Sequence, residues 1–169
     1  MADGRDRKDR LAQFIHEVWN CGLEDAVERY LAASYTVHHD PGDPWEGRVL
    51  DIEGYKARLR ASRAPFPNQA FAIQRLCADA DAVVMTWLWE GTHLGDLPGF
   101  PPTGKVIRMS GATAYLFDAA DRLTGHWQIV DRLGVYQQLQ RNSASTPPPP
   151  PNAGTAHRTT PRRALRPRR

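Results

Sequence analysis

Within GHWQIVDRLGVYQQL, residues 125–139, an imidazole, an indole and a carboxylate stand at His126, Trp127 and Asp131. A strand carrying these groups either lines a pocket that moves protons or presents a polar edge to water. A carboxylate in an apolar pocket is desolvated and becomes a stronger base than free Asp. Asp131 is one candidate for such proton chemistry. Strand alternation limits what can join it. Trp127, Ile129 and Asp131 share one parity and His126 pairs with Gln128, so His126 and Asp131 face one cavity only if a bulge intervenes.

A second stretch, AVVMTWLWEGTH, residues 82–93, adds an apolar face. Val83, Met85, Trp87, Trp89, Gly91 and His93 fall on one side of an extended chain, and a large apolar surface ending in one imidazole suits a ligand cavity. The same face would equally fill a core beneath helices. His93 ranks second for proton or oxyanion chemistry and His126 third. The run His38, His39, Asp40 has metal-ligand residue types. Adjacent strand residues point to opposite faces, so at most one of these imidazoles enters a pocket, and no metal site is expected.

The elements that must hold these groups follow from periodicity. Leu11, Phe14, Ile15, Val18 and Trp19 recur at helical spacing, as do Leu23, Val27, Tyr30 and Leu31 beyond a break at Asn20–Gly22. A short strand runs from Tyr35 into a turn enforced by Pro41, Gly42 and Pro44. DIEGYKARLRAS reads as a third helix with Ile52, Tyr55 and Leu59 on one face, and four strands follow between Pro67 and Asp131. Helices followed by a run of strands indicate an α+β fold. Its N-terminal helices pack on a strongly curved antiparallel or mixed sheet that forms a cone with an internal cavity. The domain spans residues 10–140, after a disordered N-terminus of residues 1–9.

The 169 residues make one domain, 41% hydrophobic and with enough aromatic side chains for a single core. Residues 141–169 hold seven Arg and no acid, which leaves residues 1–140 with a net charge of −4 and argues against a nucleic-acid-binding domain. That Pro/Arg-rich tail is expected to be disordered. Cys21 and Cys77 lack metal or redox spacing and are expected to be buried apolar thiols. The charged start MADGRDRKDR is unlike a secretory signal, and no run approaches the roughly 18 apolar residues of a membrane span. The expected location is cytoplasmic, with no membrane partner.

WEGTHLGDLPGFPPTGKVIRMSG, YLFDAADRLTGHWQIVDRLGVYQQL and HHDPGDPWEG together resemble the SnoaL-like polyketide cyclases, a branch of the nuclear transport factor 2-like cone-fold superfamily. The resemblance covers residues 10 to 140, with GTH-x-G, PPTGK and HW-x3-D in family order. It implies ring closure by intramolecular aldol condensation on a polyketide-like carbonyl substrate, without cofactor or metal, and Asp131 as the acid/base carboxylate. Trp87, Trp89, Trp127, His39, Tyr55 and Met109 are then the expected substrate contacts, with the tryptophans as a stacking wall. A homo-oligomer, dimer or tetramer, formed through the outer face of the sheet is also implied. The chain departs from the family at Asn68, where Asp is frequent, and at Gly125, where an acid is common.

Two other readings use the same cone. An epoxide hydrolase needs an Asp–Arg–Asp set around a water, of which Arg108 and Asp131 could supply part. A non-catalytic small-molecule binding or dimerisation module keeps the cavity and loses the chemistry. Asp131 paired to an Arg at the surface, not open to an apolar cavity, would favour the binding module.

Overall fold

The computed structural model describes residues 4–144. Helix α1, Gly4–Phe14, runs into a π-helical turn at Ile15–Asn20; a 3-10 turn at Glu24–Ala26 then leads into α2, Val27–Tyr30. Next come β1, Leu31–His39; β2, Val49–Leu50; and α3, Ile52–Arg63. Four long strands follow: β3, Ala70–Ala78; β4, Ala82–Thr92; β5, Val106–Phe117; and β6, Leu123–Val130. Helix α4, Arg132–Ala144, closes the described chain.

The strands form one six-stranded sheet in the order β2-β1-β6-β5-β4-β3. Neighbours are antiparallel except β1 and β6, which run parallel. The parallel pair exists because the chain leaves β1, builds β2, α3 and the strands β3, β4 and β5, and returns beside β1 only at the end. The result is the expected α+β fold with a mixed sheet. Its inner face is covered by the apolar stripe of the N-terminal helices, Leu11, Phe14, Ile15, Val18 and Trp19, and by Tyr55 and Leu59 of α3. Asp51 caps α3 by accepting from the Gly54 N–H at 2.7 Å.

Several expectations are corrected. Helix α1 begins at Gly4, within the residues expected to precede the domain. The strand placed near Tyr35 starts at Leu31, because Leu31 leaves α2 in extended conformation and pairs with Leu123. The run after Val130, given no element from the sequence, opens α4, which Leu139 anchors in the core. Cys21 and Cys77 are both exposed, not buried. The tail beyond Ala144 lies outside the described residues.

Candidate functional site

The inner face of the β5–β6 hairpin runs from half-open to fully buried. Gly111 pairs with Val130, Thr113 with Gln128, and Tyr115 with His126. Val130, Gly111 and Gln128 are half-buried, whereas Thr113, Tyr115 and His126 are buried. Gly111 is the residue that lets Trp87 lie across this row, since a Cβ there would sit 2.5 Å from the indole Cζ2. His126 is thus at the buried end of an inward-facing row whose less buried end is Val130 and Gly111.

A register shift puts it there. Phe117 pairs with Leu123 and Leu116 with Gly125, which leaves Thr124 as an extra residue on β6. Downstream of that bulge His126, Gln128 and Val130 face inward, and Trp127 and Ile129 face outward. Gly125 follows from the same geometry. A Cβ on it would stand 2.6 Å from the Thr36 carbonyl of the parallel neighbour and 2.9 Å from the His38 ring. The family's acidic side chain has no room at this position.

His126 sits between a phenol and a carboxylate. Its Nδ1 is 2.8 Å from the Tyr35 hydroxyl and its Nε2 is 3.7 Å from Asp40 Oδ2. With the Nε2 proton directed at Asp40, the Tyr35 hydroxyl donates to Nδ1. Asp40 is wholly buried at the end of β1, where Arg58 donates to Oδ2 at 3.1 Å and Arg132 to Oδ1 at 2.6 Å. Burial raises the Asp40 carboxyl, but His126, Arg132, Arg58 and Gln128 outweigh it and hold the group ionised well below the usual range. Burial also lowers His126; Asp40 pulls it back up and Arg58 lowers it further, so the net shift keeps the imidazole neutral near pH 7. Burial pushes Tyr35 well above its ordinary value, so the phenol stays a donor.

A second hydrogen-bonded path reaches the same place. Trp87 Nε1 donates to the Thr113 hydroxyl at 2.9 Å, and that hydroxyl donates to Gln128 Oε1 at 2.7 Å. Inside a close-packed apolar core these hydrogen bonds hold the polar set in place, although Arg58 Nε is buried without a hydrogen-bond partner. It offers one neutral base, one anion to balance the charge that base gains, and two cations to hold the anion.

Asp131, the first candidate from the sequence, lies outside the interior of the sheet. Asp131 follows the outward-facing parity of β6, is exposed, and accepts from the Gly134 N–H at 2.8 Å at the start of α4. It does not open into the cone. It borders a surface groove of about 470 Å³ on the outer face of the sheet, with Leu88, Arg108 and Ser110. Trp127 is half-exposed on the same outer face and stacks on His39 with ring centroids 4.2 Å apart, so neither lines the interior. His38 is exposed beside Gly125, and the register shift between Val37 and His39 keeps both imidazoles out of the core. Arg108 pairs with Glu90 at 3.5 Å on the surface, away from any hydrolase-like set.

The β4 face is as expected, with Val83, Met85, Trp87, Trp89 and His93 all buried. His93 is held at Nδ1 by the Thr103 hydroxyl at 3.3 Å and lies against the Phe66 ring. Burial lowers its pKa against the opposing pull of Gly95 and Asp96. It belongs to the anchor of the 94–105 loop, whose Gly104 N–H donates to the His93 carbonyl at 2.9 Å. Tyr55 is buried in edge contact with Tyr35, 4.8 Å between centroids, and is a core residue. Met109 points inward, half-buried at the open end of the row. An Asp–Arg–Asp set does exist, Asp40–Arg58–Asp43. Arg132, Arg58 and the Trp45 N–H already engage all four of its carboxylate oxygens.

Sequence reasoning missed Tyr35, Asp40, Arg58, Gln128 and Arg132 as a site. The one available signal was the DPGD string, whose turn places Asp40 and Asp43 around one guanidinium.

Comparison with known proteins gives the same family from independent directions. No curated protein sequence matches the chain. A crystal structure of a candidate polyketide cyclase from Acidithiobacillus ferrooxidans is 61% identical with a TM-score of 0.79, over 84% of this chain and 99% of that one. The candidate polyketide cyclase IdmH from Streptomyces antibioticus is 25% identical with a TM-score of 0.67, over 79% and 98%. A SnoaL-like protein from Jannaschia shares the fold at 17% identity and a TM-score of 0.67, over 85% and 94%. The family model of SnoaL-like polyketide cyclases matches residues 9–139, and the chain belongs to that family.

Proposed function

We propose that the protein is a cofactor-independent cyclase acting on a polyketide-like carbonyl substrate by aldol chemistry, with His126 as the acid/base group. The observation that carries this reading is a neutral imidazole buried between the Tyr35 phenol and the Asp40 carboxylate. The Tyr35 hydroxyl turns from His126 Nδ1 to the substrate carbonyl oxygen, and the freed Nδ1 takes the proton from a carbon flanked by carbonyls. The enolate carbon bonds to a second carbonyl carbon of the same molecule, and the imidazolium returns its proton to the alkoxide. Asp40 stabilises the imidazolium in between, and Tyr35 supplies a hydrogen bond for the developing oxyanion. The substrate enters past Met109, Val130 and Gln128, the half-buried inward residues. The test is conversion of a panel of aromatic polyketone esters, followed by mass spectrometry for an isomer or its dehydration product. Binding without conversion across the panel would count against an enzyme.

A second reading, a non-catalytic small-molecule binding or dimerising module, is favoured by two observations: Asp131 lies at the surface, capping α4 instead of pairing with an Arg, and the outer sheet face is apolar. Val84, Leu88, Trp127 and Ile129 are exposed on the outer sheet face, around Ala112 and Ala114 of β5. The occupant that fits is a second copy. Glu90 and Arg108 lie side by side at the border, and a two-fold axis would set each against its opposite charge.

A further inference from the structure

Asp131 is the motif residue that the acid/base reading leaves without a task. Its surroundings give it one. The Asp131 N–H closes the sheet by donating to the Ser110 carbonyl at 3.1 Å, and its carboxylate caps α4 through Gly134. The next residue, Arg132, reaches back over the DPGD turn. Its Nε donates to the Pro41 carbonyl at 2.5 Å and its Nη2 to Asp40 Oδ1 at 2.6 Å.

Two glycines make room for this arrangement. Gly42 has φ of +87°, and a Cβ on it would lie 3.0 Å from Arg132 Cδ. The Asp43 N–H donates to the Asp40 carbonyl at 2.8 Å, so Asp40–Pro41–Gly42–Asp43 is a tight turn that needs glycine at its third position. On the other side, a Cβ on Gly134 would meet Asp131 Oδ2 at 2.1 Å. Glycine at the third helical position is unfavourable for a helix, yet here it admits the capping carboxylate.

We propose that Asp131 is a positioning residue. It fixes the first turn of α4 so that Arg132 holds Asp40 Oδ1, which leaves Oδ2 facing His126. The proposal rests on the reading of Asp40 and His126 as the working pair, but it is tested without turnover. Groups facing His126 are Tyr35, Asp40 and Asp43 from β1 and its turn, Arg58 from α3, and Tyr115 from β5. Arg132 acts on it through Asp40. Loss of the Arg132 charge frees more of the Asp40 field for the imidazolium, so the His126 titration moves up.

The experiment follows the His126 ring protons by NMR across pH in the full chain, with thermal melting alongside. Arg132→Gln is expected to raise the His126 midpoint by on the order of half a pH unit or more. Asp131→Ala and Gly134→Ala are expected to move it in the same direction. Asp131→Ser and Asp131→Asn, which cap helices but cannot act as bases, should restore the native midpoint. A His126 titration unchanged by Asp131→Ala despite a lower melting temperature would overturn the proposal, leaving only an ordinary cap. So would loss of conversion in folded Asp131→Asn with a native His126 midpoint, which would make Asp131 the base itself. If the midpoints move as expected but His126→Asn still converts substrate, the positioning stands and the acid/base assignment fails.

Discussion

Asp40 Oδ2 lies 3.7 Å from His126 Nε2, and both side chains are buried. This carboxylate also neutralises two guanidinium groups, one of them fully inside the core. Replacing Asp40 by Asn would leave Arg58 with Asp43 alone and Arg132 with the Pro41 carbonyl. Breaking a buried pair on one side costs about 3 kcal/mol or more. Urea denaturation of Asp40→Asn should show that loss with an unchanged m-value, and a midpoint equal to the parent's would contradict the network.

Acid should weaken the fold before the carboxylates titrate. His93 and His126 both have depressed pKa values in the folded chain, mainly from burial. Their stabilising contribution is therefore complete above the unfolded value of about 6.5 and is lost as pH falls through the folded values. Asp40, also depressed, contributes above about 4 and loses its contribution only in stronger acid. The melting temperature should fall between pH 7 and pH 5. His93→Gln should flatten part of that slope, and a parent whose melting temperature is constant over that range would refute the assignment.

The parallel contact between β1 and β6 leaves no space at Gly125. Gly125→Ala brings a methyl to 2.6 Å from the Thr36 carbonyl, a backbone atom that cannot swing aside. A loss on the order of 2 kcal/mol follows from strain of this kind in a packed sheet. Calorimetry would register it as a drop of several degrees, whereas an unchanged transition would mean that the two strands separate at the bulge.

On the outer face, Ile129→Asp places a charge amid the exposed Leu88 and Trp127. If a second copy covers that face, sedimentation velocity should show the parent as a dimer and this variant as a monomer of equal helicity. A monomeric parent at micromolar concentration would exclude the contact.

Much of the fold was legible because it rests on periodicity. Leu11 to Trp19 repeat as a helix does, and Val83 to His93 alternate as a strand does. Helix α4 was not, because Leu133, Val135 and Tyr136 are exposed or half-buried and leave only Leu139 buried. Site orientation hinged on one residue. Thr124 as a bulge inverts the inward set on β6, and nothing in LTGHWQIVD marks it beyond the glycine. Asp40 was dismissed with its histidine neighbours, since its partners come from α3 and from α4, 18 and 92 positions away. Sequence spacing carries local pairs well and distant ion pairs hardly at all.

In the proposed reaction the proton is carried inside the cone by His126. The direct measurement is the rate of ring closure by His126→Asn on a polyketone ester that the parent converts, at matched folded fraction. A loss of about 100-fold to 10,000-fold is predicted for removal of a general acid/base. A variant that retains a rate within threefold of the parent would contradict the account.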